Sequence, residues 1–173
     1  EKVRPVMEAL KNAGVSVKFD DRDTHKPGFK FNEYELKGVP IRLAMGPRDM
    51  ENNTFEVARR DTLSKEVVPA EGVVEHITSL LDDIQENIFN KAREFRDAHI
   101  REVDDYGEFK KLLEEEGGFL SAHWDGTPET EERIKEETKA TIRCIPLHPE
   151  EDPGKCILTG KPSPYRVLFA KAY

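Results

Sequence analysis

Six charged side chains crowd the first third of this chain: Glu33, Glu35, Arg42, Arg48, Asp49 and Lys65. They carry both signs, whereas a surface that only grips phosphate needs one. A guanine base presents N1–H and 2-amino donors beside the O6 and N7 acceptors, so carboxylates next to Arg or Lys match it edge for edge. Phe29, Phe31 and Tyr34 add flat faces on which an unstacked base could rest, worth about 1–3 kcal/mol per base. A plainer reading uses the same residues: a solvated helix face, with Phe29 and Phe31 buried as core. Residue types alone leave both readings open.

Other constellations offer less chemistry. Cys144 and Cys156 are too few for a disulfide framework and are expected as free thiols. The set His123, Cys144, His148 and Cys156 has soft ligands but no tight pair spacing. Its simpler reading makes Cys144 a small buried side chain and His148 an exposed loop residue. His25, His76 and His99 stand apart from one another and read as surface residues. There is no Gly-rich phosphate loop, no G-x-S-x-G and no HExxH, and Asp20-Asp21-Arg22-Asp23 reads as a loop. Catalysis within these residues is therefore not expected.

These side chains need elements to hold them. Val3, Met7, Leu10 and Ala13 repeat at helical spacing, Gly14 ends that helix, and Val15–Phe19 alternates as a strand would. A polar loop follows, then a helix over Phe29–Gly38 closed by Gly38, and a strand Ile41–Met45 broken by a turn at Gly46-Pro47-Arg48-Asp49. Thr54–Arg59 and Glu66–Val68 read as strands joined by a hairpin-like turn. Val73, Ile77, Leu81, Ile84, Ile88, Ala92 and Phe95 mark a long helix from Gly72 to about Ala98. The order predicts an α/β domain with a mixed sheet over residues 1–100, a domain whose first strand can be missing from this chain. Residues 101–173 predict a small α/β sandwich: helix Tyr106–Glu116, strand Phe119–Trp124, helix Glu129–Lys139, strand Thr141–Leu147 and a last strand Tyr165–Ala170.

The 173 residues carry a formal charge of −8, which argues against a protein that coats itself in nucleic acid. The charge is uneven: nine Lys/Arg face seven Asp/Glu between Arg22 and Lys65, against ten and twenty-three between Glu71 and Asp152. Contact with a polyanion is thus expected in the first third. With no long apolar run and no signal or lipidation pattern, the expectation is a soluble cytoplasmic protein with no membrane contact. The opening EKVRPVMEALKNAGV starts without Met inside a helix, so the chain is expected to be a piece of a longer one.

Read as a string, DDRDTHKPGFKFNEYELKGVPIRLAMGPRDM resembles the anticodon-binding domain of class II prolyl-tRNA synthetases that carry a C-terminal extension. The likeness continues through VARRDTLSKE, KEETKATIRCIP, TGKPSPY and LFAKAY. ELKGVPIR followed by GPRD, with a Tyr-terminated extension, separates the prolyl group from threonyl-, histidyl- and glycyl-tRNA synthetases of the same fold. The resemblance implies that Phe31 stacks near the anticodon and Glu35 contacts a guanine. It implies that Arg42 belongs to the same site, that Arg48 and Asp49 read guanine edges, and that Lys65 completes the set. It places the carboxylate of Tyr173 near the active site of the full enzyme. That enzyme would join proline to its tRNA with ATP and Mg, act as a homodimer, and carry its catalytic domain N-terminal to this fragment, which alone should be inactive. Several relatives hold a zinc with four cysteines; here Asp125, Thr130, Cys156 and Thr159 stand at those positions, so no zinc is expected and the fragment needs no cofactor. Two rival readings remain: a protein-interaction domain that kept the fold without RNA reading, motivated by the acidic second half, and a metal or redox module resting only on the cysteines and histidines above.

Overall fold

A computed structural model describes residues 2–147 and 151–171. It resolves into two compact units, residues 1–92 and 93–173. The α/β class expected from the sequence is present in both.

In the first unit, α1 (Val3–Asn12) buries Leu10, and α2 (Pro27–Leu36) begins with Pro at its first turn. Proline fits there because its missing N–H would have had no helical partner. Both helices stop in the same way. After α1, Val15 N–H reaches Leu10 O and Gly14 N–H reaches Lys11 O; after α2, Val39 N–H reaches Tyr34 O and Gly38 N–H reaches Glu35 O. The residue in the turn must be left-handed, and Gly14 (φ 84°) and Gly38 (φ 80°) take that conformation without a Cβ clash.

Strands β1 (Ile41–Ala44), β2 (Thr54–Arg59) and β3 (Lys65–Pro69) pair in the order β1-β2-β3. All described pairs of this sheet are antiparallel, with Leu43 opposite Val57 and Phe55 opposite Val68. A parallel neighbour needs a crossover of about a dozen residues or more. The short links between these strands, one of them a five-residue turn, do not provide it. The link from β1 to β2, expected as a turn, contains a one-and-a-half-turn helix, α3 (Pro47–Asn52). Phe55, Val57 and Val68 face inward onto Val73, Ile77, Leu80 and Ile84 of α4 (Val73–Ala98). Steps of four, three and four put those α4 residues on one stripe. The expected strand Val15–Phe19 is not hydrogen-bonded as one. Val15 and Val17 do pack on this core while Ser16 and Lys18 are exposed. Alternation reports which side chains are covered; a strand also needs a partner backbone.

The second unit holds β4 (Ile100–Glu102), α5 (Tyr106–Glu115), β5 (Phe119–His123), α6 (Pro128–Thr138), β6 (Ala140–Cys144), β7 (Gly154–Lys155), β8 (Pro162–Ser163) and β9 (Arg166–Lys171). Its main sheet runs β4-β5-β9-β6, with β4 and β5 parallel across α5 and the other pairs antiparallel. Leu120, Ala122, Val167 and Phe169 of the two central strands pack with Phe109, Leu113 and Ile134. The Asp105 carboxylate caps α5, accepting the Glu108 N–H at 2.8 Å. No described helix is long and apolar enough to cross a membrane.

Candidate nucleic-acid interface

The alternation that sends Phe55 and Val57 into the core turns Arg42, Glu56, Ala58, Lys65 and Val67 to the opposite face of the three-stranded sheet. Helix α2 lends that face its aromatics. The Arg42 guanidinium lies 3.6 Å from the Phe31 ring centroid, a close cation–π stack. Its Nη1 donates to Glu56 Oε1 at 3.1 Å, and Lys65 Nζ stands 3.8 Å from the same oxygen. Both cations are diagonal neighbours of Glu56 in the sheet register, the spacing at which long side chains still meet. Arg42 Nε is buried and has no hydrogen-bond partner among the described residues. Arg42 is thus held by the Phe31 ring and the Glu56 carboxylate, with donor capacity to spare.

Phe31, Glu35 and Arg42 also share the wall of a cavity of about 20 Å³, with Tyr34, Arg59 and Arg60 around it. That space holds a water, not a base. A base at this face would have to rest on the rings and guanidinium rather than enter between them. The Glu35 side chain is exposed, and its carboxylate has no partner among the described residues. Its backbone carbonyl accepts from Arg60 Nε at 2.8 Å, while Arg60 N–H bonds Pro40 O at 2.9 Å, tying the end of α2 to the end of β2.

Glu33, one of the six charged residues, is engaged elsewhere. Arg22 Nη2 and Lys37 Nζ each approach its carboxylate at 2.6 Å, and Arg22 also grips Asp20 through two N–H donors. The Lys37 and Arg22 hydrogen bonds pull the Glu33 carboxyl down to about 2, against the opposing effect of desolvation. Hydrogen bonding from Arg22 likewise holds Asp20 far below the usual carboxylate range. The network fastens the Asp20–Asp23 loop to α2, which makes Glu33 an anchor.

Arg48 and Asp49 sit in the first turn of α3. Asp49 Oδ2 accepts the Gly46 N–H at 2.8 Å and Oδ1 the Thr54 hydroxyl at 3.4 Å. Thr54 is two residues from Glu56 on β2, so this bond ties α3 to the strand row that bears Glu56. A carboxylate has about four acceptor positions, so two stay available. The Arg48 side chain is exposed and makes no hydrogen bond or ion pair to a described residue. Arg42 and Lys65 are therefore gathered at Glu56, Phe31 stacks on Arg42, Glu35 borders the cavity beside Phe31 and Arg42, and Arg48 and Asp49 lie on α3. Glu56 and Arg60 were missed by the sequence reading. The only signal for Glu56 is a charge at an alternating strand position, which reads equally as a solvated residue. Tyr173 and His148 lie outside the described residues.

In the second unit, Asp125, Thr130 and Thr159 meet through hydrogen bonds. The carboxylate takes Thr159 Oγ1 at 2.9 Å, Thr130 Oγ1 at 3.0 Å, Thr127 Oγ1 at 2.8 Å and Thr127 N–H at 3.2 Å. Burial pushes the Asp125 carboxyl up, and the bonds from Thr127, Thr159 and Thr130 together outweigh it, leaving a value below the ordinary one. Cys156 is buried and Cys144 exposed at the end of β6. A donor set of one carboxylate, two threonine hydroxyls and one thiol does not fit a tetrahedral zinc ion, which takes sulfur, nitrogen or carboxylate ligands. His123 is buried, with Nδ1 at 3.3 Å from Ser163 Oγ and Nε2 at 3.5 Å from Asp152. The Ser163 hydroxyl donates to Tyr165 O and is itself buried, so this trio is not a nucleophile site.

Residues 1–80 match a family model described as the anticodon binding domain, and residues 106–173 match one described as prolyl-tRNA synthetase, C-terminal. The whole chain is 64% identical to a proline-tRNA ligase of Porphyromonas gingivalis, covering 35% of that protein. The chain belongs with the C-terminal parts of the prolyl-tRNA synthetases. Proline-tRNA ligases of Flavobacterium psychrophilum (64% identical over 97% of this chain, 34% of theirs) and Parabacteroides distasonis (62% over 100%, 35% of theirs) are similar throughout. The chain thus spans about a third of the length of these curated relatives. The mixed-sign face falls within the residues matched as the anticodon binding domain, and the hydrogen-bonded Asp125 cluster within those matched as prolyl-tRNA synthetase, C-terminal.

Proposed function

We propose that the first unit reads the paired guanines of a proline anticodon. The observation that carries this is the Arg42 guanidinium stacked on Phe31 and braced by Glu56, with Glu35 on the same cavity wall and Arg48 on α3, both side chains without a partner among the described residues. Each has a part that its chemistry supports. The Glu35 carboxylate is acceptor-only and suits N1–H and the 2-amino group of a guanine; Arg48 suits O6 and N7 as a two-pronged donor. Asp49 offers its remaining lone pairs beside Arg48. Phe31 and Arg42 give a base a flat seat, and Lys65 supplies charge at the rim for phosphate.

The intact protein, in this proposal, is a cytoplasmic, homodimeric enzyme that attaches proline to its tRNA using ATP and Mg. Its catalytic domain lies upstream of this chain, and the Tyr173 carboxylate reaches toward that active site. The second unit keeps its fold without zinc. The test is Arg48→Ala in the intact protein, assayed against proline tRNA and against tRNA with each anticodon guanine replaced. The expected loss for the cognate is about 1–3 kcal/mol, with relaxed preference for guanine. Equal loss for every anticodon would reduce Arg48 to a phosphate contact. Absence of any guanine-dependent binding, with a protein partner still captured, would favour an interaction domain.

A further inference from the structure

Glu35 and Arg60 border two spaces: the small cavity against Phe31 and Arg42, and a groove of about 800 Å³. Asn32, Leu36, Asp61, Leu63, Ile88 and Lys91 complete the groove. Leu36 is 89% exposed, Leu63 76% and Ile88 49%, so its floor is apolar and open to solvent. Leu63 also stands at φ 58°, a left-handed conformation that costs a bulky side chain energy. Neither its backbone nor its exposure helps the fold. Arg60 and Lys91 each spend one donor on a backbone carbonyl, of Glu35 and of Asp61, and keep the rest. The Asp61 carboxylate in the same groove is already taken by Arg59 and Asn87, so the free charge beside the Glu35 carboxylate is positive.

We infer that this groove, which shares Glu35 and Arg60 with the cavity beside the guanine-reading set, takes one further unpaired nucleotide of the same RNA loop. The inference rests on the reading given under Proposed function. An aliphatic floor suits the face of any base, two cations suit the flanking phosphate, and the Asn32 amide can donate to or accept from a base edge. The volume falls in the range that admits ligands of nucleotide size. Continuity with the proposed guanine face, through shared Glu35 and Arg60, favours the same RNA over a separate partner.

An abasic scan tests it. Anticodon stem-loops carrying an abasic residue at each loop position outside the guanines are titrated against the intact protein and against Leu63→Asn and Ile88→Gln. Asn accepts the left-handed turn and adds no charge, so Leu63→Asn should fold. For the unaltered protein, one position is expected to lose roughly tenfold in affinity when its base is removed. Both variants should bind the complete loop that much more weakly and become indifferent to the base at that position, with guanine discrimination intact. If variants and unaltered protein respond alike to every abasic position while guanine discrimination persists, the groove assignment fails alone. If RNA binding is untouched and self-association is lost instead, the groove is an interface between copies. Failure of guanine discrimination in the unaltered protein would remove the parent reading.

Discussion

Glu56 holds Arg42 and Lys65 at one point of the sheet, so its charge decides whether those cations face a base or roam toward phosphate. Glu56→Gln keeps the shape and removes the charge. We expect the salt dependence of RNA binding to steepen by about one unit in log–log slope, because another cation is free for phosphate, while preference for guanine falls. Titrations at several salt concentrations with guanine- and adenine-containing anticodon loops check this; an unchanged slope with unchanged preference would mean Glu56 is a bystander. The stack of Arg42 on Phe31 was implied by neither residue alone, since the chain separates them by a helix end and a turn.

Helix α2 must stop where Val39 and Pro40 can feed β1, and its ending depends on Gly38. Gly38→Ala places a Cβ on a φ of 80°, although nothing lies within 4 Å to clash with it. The cost is conformational, about 1–2 kcal/mol, and Gly38→Asn should cost less. Denaturant midpoints of the two variants test the order; equal midpoints would show that the turn relaxes. In the second unit, a Cβ on Gly154 would fall 2.2 Å from His123 Nε2. Gly154→Ala is expected to cost about 1–3 kcal/mol by overpacking against a buried ring, read as a lowered Tm. Sequence patterns located α2, β1, β2, α4, α5 and α6 because each is long or periodic enough to signal itself. They did not locate β4, β7 or β8, which span three residues or two and exist only where a neighbouring strand pairs with them.

Across the whole chain, several carboxylates are held below their ordinary values: Asp20 and Glu33 around Arg22, Asp61 by Arg59, and Asp125 by its threonines. In each case the folded value lies below the unfolded one of about 4. Their stabilisation is complete above that pH and drains as pH falls through the folded values, with Glu33 titrating near 2. Tm should therefore drop between about pH 4 and pH 2. Asp61→Asn should lower Tm at pH 7 and flatten that decline; a parallel curve would exclude Asp61 as a contributor. Asp125→Ala strips several hydroxyl and amide donors of their acceptor, an expected loss of about 2–3 kcal/mol, and no chelator effect on Tm should appear in the unaltered protein. A Tm lowered by chelator would restore a metal to this unit.

Sequence alone determined the family and the α/β class, and it singled out charged side chains of both signs in the first unit, because those rest on local strings, helical and strand periodicity, and the chemistry of side chains. Tertiary structure decided which of them touch. It brought Glu56 between Arg42 and Lys65, diverted Glu33 into an anchor and half of Asp49 into a cap, made Pro47–Asn52 a helix, and gave Val15–Phe19 no strand partner among the described residues. The physical reason is common to all four. A side chain's charge and a backbone's alternation are written in the chain, but hydrogen bonds need a second group at about 3 Å, and only packing supplies it.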